Sequence, residues 1–306
     1  MTTGSADWTL KLHAFLHDPF EKPLILFSER HAVRAADLIA LLGLAAPASS
    51  IQAKIRTADH YASAMNRLVV ETTQTRHPVD FMQYPLVVHP LSGESYDLEI
   101  GGSLAMLTED GANRVVQGAK TAVEEALRDL SAQYGDDPQR LFLALWRLLP
   151  ERLRESGSGE ERLGHLWTLL PADSRVPDHS IWDHLSTTSA MVTALDEPAF
   201  LLFTLGPVQE FVATARRTQD LWMGSFLLSY LTWEAIRIVA ERFGPDCLMF
   251  PSLFAQPLVD HWLRDRYQID VPPPPGEQLR QPSLPNRFLA LVPASEARTL
   301  AETART

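Results

Sequence analysis

The sequence predicts an α+β protein in which a mainly helical region of nearly two hundred residues precedes an incomplete ferredoxin-like unit. Two observations carry this. Apolar residues recur at helical spacing through most of the first part, as in amphipathic helices packed on a common core. From residue 199 the pattern changes to short, unbroken apolar runs closed by glycine or proline, which read as buried strands. Their order, strand–helix–strand–strand–helix, is most of a βαββαβ unit and lacks its closing strand. The chain divides accordingly into 1–197 and 198–306, with no internal repeat.

The elements follow in order. Trp8, Leu12, Phe15 and Leu16 share one face of a first helix over 5–17. The stretch SERHAVRAADLIALLG (28–43) opens on Ser28 as a cap and stops at Gly43, giving a second. In SIQAKIRTADHYASAMNRLV (50–69) Ile55, Ala58, Ala62 and Met65 align, giving a third. Pro78, Pro85 and Pro90, with LSGESYDLEIGG, predict an irregular insertion over 72–105 that holds a small hairpin. Helical spacing returns over 112–133 and 137–155, SGSGEE (156–161) is a flexible loop, and PDHSIWDHLSTTSAMVTAL (177–195) is a helix opening on Pro177 and Asp178. Strands are then expected at 199–206, 246–251 and 287–293. A long amphipathic helix to about Arg242 follows the first, and a proline-rich linker over 271–285 precedes the third. A sheet without its closing strand leaves an exposed edge.

Composition narrows the function classes. Apolar residues make up 45% and charged residues 21%, as in ordinary globular proteins. No apolar run approaches the roughly 20 residues of a membrane span, and MTTGSADWTLKLH lacks the basic start and apolar segment of a secretory signal. Cys247 is the single cysteine, which excludes an internal disulfide framework or a multi-cysteine zinc site and suits a reducing cytoplasm. A net charge of −11 argues against coating nucleic acid by bulk attraction. It leaves room for a local site where a metal ion supplies the positive charge.

The stretch HAFLHDPFEKPL (13–24) places His17 beside Asp18 ahead of Pro19. Such a pair either ends a helix or contributes two ligands to a metal centre. Mixed imidazole and carboxylate ligands suit divalent Mn, Ni, Co or Mg, and need about four protein ligands converging inside a bundle. They should lie near apolar faces, where an unpartnered carboxylate is costly. Asp59, between Ala58 and Ala62, and His184, ahead of Ala190 and Met191, meet that condition, and His31 is a fifth candidate. Each has a plainer reading. His13 and His17 have the i, i+4 spacing of partly exposed helix residues as well as of a metal pair. Asp18 reads equally as a helix-end residue, Asp59 as a solvent-facing one, and the DDP and PDH carboxylates as caps. Spacing alone leaves the function open.

LHDPFEK (16–22) and DSRVPDHSIWDHLSTTSAM (173–191) resemble the N-terminal region of the large subunit of type III-B CRISPR–Cas effector complexes, the Cmr complexes. So do LGPVQEFVATARRTQDLWMGSFLLSYL (205–231) and SLPNRFLALVP (283–293), and the likeness runs in order along nearly the whole chain. The resemblance implies an HD-type domain, circularly permuted so that the helix of its first histidine comes last, followed by a palm domain. His17 and Asp18 then match the HD doublet, Asp59 in TADHYAS the distant aspartate, His184 in WDHLSTT the displaced histidine, and His31 a second-site histidine. Permutation preserves such a site, which depends on position in space, where a domain's ends lie close together. The implied activity is metal-dependent cleavage of single-stranded DNA, in which divalent metal polarises a phosphodiester and lowers the pKa of bound water. Asp18 would suit bridging two ions. Lys22 reads either as a phosphate contact or as a solvated surface lysine.

The resemblance further implies two palm domains that jointly make cyclic oligoadenylate from ATP, with the Mg²⁺-holding Gly-Gly-Asp-Asp hairpin in the second. This sequence carries no such motif, and 198–306 resembles a first palm truncated before its last strand. ATP is therefore expected as a cofactor only beside a complete second palm, with Arg216 and Arg217 as candidate nucleotide contacts or, equally, solvent-facing helix arginines. Tyr134-Gly135-Asp136-Asp137 imitates a polymerase motif, but helical patterns flank it and Pro138 suits a first helical position, so Asp137 reads as an N-cap. The expected partners are other Cmr subunits, guide CRISPR RNA, target RNA and single-stranded DNA, without a membrane and in the cytoplasm. Two alternatives stand beside this: a catalytically inert scaffold docking other Cmr subunits, and an HD phosphohydrolase of nucleotides.

Overall fold

The computed structural model of the chain describes residues 5–26, 28–66, 80–98, 109–156 and 163–305. The fold is α+β and divides into two compact units, Trp8–Thr188 and Met1–Asp7 with Ser189–Thr306.

The first unit is built from α1 (Trp8–Phe15), α2 (Lys22–Ile25), α3 (His31–Leu41) and α4 (Ser49–Asn66), then the hairpin β1 (Leu86–Val88) and β2 (Ser95–Asp97). The long helices α5 (Glu109–Tyr134) and α6 (Pro138–Glu155) follow, and α7 (Ile181–Ala194) begins here and continues into the second unit. The hairpin expected inside the 72–105 insertion is present, antiparallel, with Val87 opposite Tyr96. Residues 72–79 and 99–105 of that insertion, the end of the 50–69 helix and nearly all of the 156–161 loop lie outside the described residues.

Helix α6 is the spine of this unit, with Leu141 through Pro150 all buried. Helix α5 runs back along it and α1 packs across it. Phe15 of α1 meets Phe142 edge-on at 5.7 Å and Phe20 at 6.0 Å. The polymerase-like Tyr134–Asp137 segment is the turn between α5 and α6. Asp137 Oδ1 accepts the Gln139 N–H at 2.7 Å and the Arg140 N–H at 3.3 Å, capping α6. Gly135 is required there, because a Cβ would come within 2.5 Å of the Ser131 carbonyl oxygen.

A buried ion pair ties three of these helices together. Glu21, fully buried, accepts from Arg34 Nε at 2.7 Å. The same guanidinium reaches Glu124 Oε1 at 2.8 Å and the Lys120 carbonyl at 3.3 Å on α5, and Lys120 pairs in turn with Glu29. Burial pushes the Glu21 carboxyl up, opposed by Arg34.

Two helix starts differ from the sequence reading. Ser28 does not cap α3, since its hydroxyl donates back to the Ile25 carbonyl at 3.2 Å. The chain first makes the extra turn α2, opened by Pro23, and α3 begins at His31. Pro177 and Asp178 do not open α7. Pro171 bridges Ser180, and the Ser180 hydroxyl accepts the Asp183 N–H at 3.1 Å while donating to its carboxylate at 2.7 Å. The helix therefore starts at Ile181, capped by Ser180 two residues beyond Asp178.

The second unit contains β3 (Pro198–Thr204), α8 (Val208–Ala213), α9 (Thr218–Phe243), β4 (Leu248–Phe250), α10 (Pro257–Tyr267), β5 (Arg287–Pro293) and α11 (Ala294–Arg305). The single long helix expected after the first strand is two helices, broken over 214–217. Helix α10 has no counterpart in the sequence reading, although Leu258, Val259, Trp262 and Leu263 are buried at helical spacing. The sheet is antiparallel in the order β3-β5-β4, which puts the last strand between the first two. Helices α9 and α11 pack against it, and Phe203 stacks on Phe288 at 5.1 Å. The alternate residues Phe200 and Leu202 are exposed, and the outer edge of β3 has no partner strand among the described residues. No helix among the described residues is long and apolar enough to cross a membrane.

Replacing Arg34 with alanine leaves Glu21 buried without its cation, and loss of one partner of a buried pair costs about 3–5 kcal/mol. Denaturant unfolding should show a loss of that size for Arg34→Ala, and a loss below about 1 kcal/mol, the range of surface pairs, would remove the pair from the account of stability.

A candidate metal centre of two histidines and two aspartates

The centre begins where α1 ends. Pro19 disfavours helical geometry in the residue before it, so the chain leaves the helix across His17 and Asp18 and frees the Ala14 carbonyl that a continuing helix would use. His17 Nδ1 lies 2.7 Å from that oxygen. A carbonyl only accepts, so Nδ1 carries a proton, and in the neutral ring Nε2 then presents its lone pair, an arrangement common to metal-ligating histidines. Nε2 is buried and has no hydrogen-bond partner. Asp59 follows the fully buried Ala58 on α4, and the Ser180–Asp183 cap sets His184 in the first turn of α7.

These side chains converge. His184 Nε2 is 3.2 Å from Asp59 Oδ1 and 3.7 Å from Asp18 Oδ2. His17 Nε2 is 3.5 Å from Asp18 Oδ2 and 3.7 Å from Asp59 Oδ1. One potential ligand atom from each of His17, Asp59 and His184 lies within 4.8 Å of the others. Two ligands about 2.1 Å from one ion stand about 3.0 Å apart at an octahedral edge and about 3.4 Å at a tetrahedral one. The observed separations fit a shared divalent cation after shifts of a few tenths of an ångström, and the donor set of imidazole nitrogen and carboxylate oxygen suits one.

The electrostatics divide the two histidines. Burial lowers the pKa of His184, and the neighbouring His17 adds to this against the opposing pull of Asp59 and Asp18. Burial acts the same way on His17, but Asp18, Asp59 and the Ala14 carbonyl outweigh it and raise its pKa. For Asp18 burial opposes ionisation, yet His17, Lys22 and His184 hold its carboxyl below the usual range. Asp59 is held well below that range by His17 and His184, again against burial. His184 is thus kept neutral, the form in which imidazole ligates metal, and both carboxylates are kept charged.

The remaining candidates sit around this core. Lys22 is not a solvated surface lysine, because its Nζ is 2.5 Å from Asp18 Oδ2. His31 Nε2 is 3.9 Å from Asp18 Oδ1, and its side chain is 46% exposed, which puts it at the rim. His13 is not one of a helical metal pair with His17. It is buried, with Nε2 on the Ala45 carbonyl at 2.9 Å, while His17 lies past the helix end. Arg216 and Arg217 belong to the other unit, exposed at the α8–α9 break, where the Asp220 carboxylate accepts both backbone N–H groups. The sequence reading missed Arg56, although its place three residues before Asp59 puts it on the same side of α4.

A helical unit holding a partly buried cluster of two histidines and two aspartates, followed by an α+β unit with an antiparallel sheet, defines the class: a two-part protein whose first part gathers imidazole and carboxylate groups that could hold a divalent cation. Residues 200–306 match the family described as "CRISPR-associated protein Cmr2, N-terminal". Over 95% of its length the chain is 28% identical to the CRISPR system Cmr subunit Cmr2 of Pyrococcus furiosus, of which it covers 36%. Over 27% of its length it is 42% identical to the Cmr2 subunit of Saccharolobus solfataricus, of which it covers 8%. Its fold resembles type III-B Cmr-beta in the apo state, with a TM-score of 0.62 at 20% identity over 93% of this chain and 29% of that one. It also resembles type III-B Cmr-beta bound to cognate target RNA, with a TM-score of 0.60 at 22% identity over 92% and 28% of the respective chains. The chain is related to the N-terminal portion of Cmr2, the large subunit of type III-B systems, and spans about a third of the Pyrococcus relative's length.

A ligand that binds only the folded state at 100 times its Kd stabilises it by about 2.7 kcal/mol. Mn²⁺ at that excess should stabilise the parent chain by this amount, and EDTA should reverse it. His184→Ala and Asp59→Ala should lose the shift, and Arg216→Ala should keep it. An undiminished shift in His184→Ala, read by denaturant unfolding with and without Mn²⁺, would exclude the cluster as the binding site.

Proposed function

We propose that this chain serves in a type III-B RNA-guided effector, with residues 1–197 as a permuted HD-type nuclease domain that cleaves single-stranded DNA with a divalent metal. The observation that carries this is the convergence of His17, Asp18, Asp59 and His184, from three distant stretches of chain, at separations matching ligand edges. Mn²⁺, Ni²⁺, Co²⁺ or Mg²⁺ bound there supplies Lewis acidity toward a phosphodiester and lowers the pKa of water to near neutrality.

The protein's own side chains have separate tasks. His17 and His184 present nitrogen donors, one fixed by the Ala14 carbonyl and one kept neutral by burial. Asp18 and Asp59 provide the negative charge that retains a cation. Lys22 keeps Asp18 ionised in its buried position, where a lone carboxylate would protonate. His31, at the exposed rim beside Asp18, is positioned to extend the ligand set toward a second ion or an entering phosphate.

Residues 198–306 act in this reading as a first palm, whose β3-β5-β4 sheet would be completed by a further strand. Cyclic oligoadenylate synthesis from ATP would then need a second palm, with Arg216 and Arg217 as nucleotide contacts. The likeness to Cmr-beta, including the form bound to cognate target RNA, supports other Cmr subunits, guide RNA and target RNA as partners, with DNA as the substrate cleaved.

Labelled single-stranded DNA incubated with Mn²⁺ or Ni²⁺ should be degraded by the parent chain and spared in EDTA. The folded His17→Ala/Asp18→Ala variant should be slower by at least about 100-fold, the upper range for losing even an outer-shell partner of a metal. Equal cleavage by parent and variant would assign the activity to a contaminant and sink the proposal.

A further inference from the structure

Beside the cluster lies a cavity of about 400 Å³, with His17, Asp18 and Asp59 in one wall. That volume is at the small end of small-molecule sites, roughly 300–1,000 Å³. The other walls have a different chemistry. Helix α3 contributes Ala32, Ala36 and Ala40, four residues apart and so on one side of the helix, together with Ala35 and Ile39. Ile55 of α4 faces them, and Leu44 and Pro47 continue the apolar surface. These side chains offer no hydrogen bonds, so they discriminate poorly among flat heterocycles.

Arg56, His13, His31 and Gln52 break the apolar lining. Arg56 lines the cavity one turn before Asp59 on α4, is exposed, and makes no ion pair among the described residues. Lys22, by contrast, is committed to Asp18. His13 also lines the cavity and is only 4% exposed. Its Nε2 donates to the Ala45 carbonyl at 2.9 Å, which leaves Nδ1 as an acceptor, buried and without a hydrogen-bond partner. A slot with small apolar walls, a guanidinium outside any described ion pair and a His/Asp cluster at one wall matches the parts of one nucleotide: a flat base and a phosphate.

We propose that this cavity binds a single unpaired nucleotide, with its base against the alanine wall of α3 and its phosphate between Arg56 and the His/Asp cluster. The inference rests on the reading of that cluster as a phosphodiester-cleaving metal site and adds how the site selects its substrate. Base pairing blocks entry, because a paired base must first be unstacked and extruded at a cost of a few kcal/mol. The apolar wall tolerates any base, as stacking and apolar contacts do elsewhere. Selection for single strands follows without sequence preference.

The test uses the whole chain and two probes, a labelled ten-nucleotide oligothymidylate followed by fluorescence anisotropy and unlabelled dTMP as competitor, each with Mn²⁺ and in EDTA. Arg56→Ala should weaken binding of the strand about tenfold or more, as loss of a charge-assisted hydrogen bond does. Ala36→Leu, a bulkier side chain on the exposed part of the wall, should do the same by filling the slot. Lys54→Ala, which changes a charge on α4 away from the cavity, should bind as the parent does. The Mn²⁺-dependent stabilisation should stay intact in all three variants. Competition by dTMP together with strand binding places a nucleotide of a strand in the pocket, and dTMP binding without strand binding makes a free mononucleotide the occupant. Parent-like binding by both Arg56→Ala and Ala36→Leu, or a strand that dTMP does not displace, overturns the pocket. Failure of the metal reading shows separately, as absence of Mn²⁺ stabilisation in the parent, while binding in EDTA still reports on the pocket.

Discussion

Asp18 is an ionised carboxylate almost out of contact with water, 3% exposed, and much of the first unit is arranged around keeping it so. Removing such a group from water costs several kcal/mol even after the protein relaxes. The compensation comes from His17 beside it and Lys22 one turn away. Local sequence supplies both. Neutral His184, with Nε2 3.7 Å from Asp18 Oδ2, joins them from far along the chain, which requires α7 to return to the end of α1. The six residues His17 to Lys22 also hold a second buried carboxylate, Glu21, compensated on the opposite side by Arg34 and so anchored to α3 and α5. One short stretch thus ties the cluster on one side and the helical core on the other, which fixes the ligand atoms more firmly than a surface loop would.

That arrangement also reconciles an acidic chain with a proposed nucleic-acid substrate. A net charge of −11 repels phosphate at long range, yet the relevant interactions occur within a few ångströms, where local charges dominate over those beyond a Debye length. The cluster's carboxylates would repel a phosphate if left bare, and a divalent cation inverts their effect. Arg56 then adds positive charge where a strand would enter. Affinity on this scheme depends on the cation and a few contacts, so it should be modest outside a larger assembly.

Parts of this were legible in the sequence and parts were not. The apolar spacing of α4 placed Asp59 against Ala58 and Ala62, and helical patterns on both sides of Tyr134–Asp137 exposed the polymerase-like string as a capped turn. The pairing of Asp18 with Lys22 was available from their i, i+4 spacing. The start of α7 was ambiguous because Pro177-Asp178 and Ser180-x-x-Asp183 are both start signals, and the bridge between Pro171 and Ser180 decides between them. Helix α10 was obscured by the prolines near it, although Pro257 occupies a first-turn position where proline favours a helix. The break between α8 and α9 falls at the polar run Arg216–Asp220, too short to stop a long amphipathic reading, and its sign is Asp220, whose carboxylate accepts the backbone N–H groups of Arg216 and Arg217. Convergence of residues 17, 59 and 184 could not be read from periodicity, which describes faces within a helix and says nothing of which helices meet. Only the family resemblance joined them.

Helix α4 shows how little sequence such a site needs once the frame exists. Ile55, Ala58 and Ala62 are its buried residues, and the two alanines are small enough for other elements to come close. Gln52, Arg56 and Asp59 occupy the adjoining side of the same helix and line the cavity with Ile55. A rotation of α4 large enough to bury Arg56 would withdraw Asp59 from His184, and one that exposed Ala58 would cost apolar burial. Packing, the proposed metal ligation and the proposed phosphate contact are therefore set by one angle. The cost of altering the alanines should exceed what their size suggests, because a bulkier residue at Ala58 would displace Asp59 from the ligand set along with the helix that carries it.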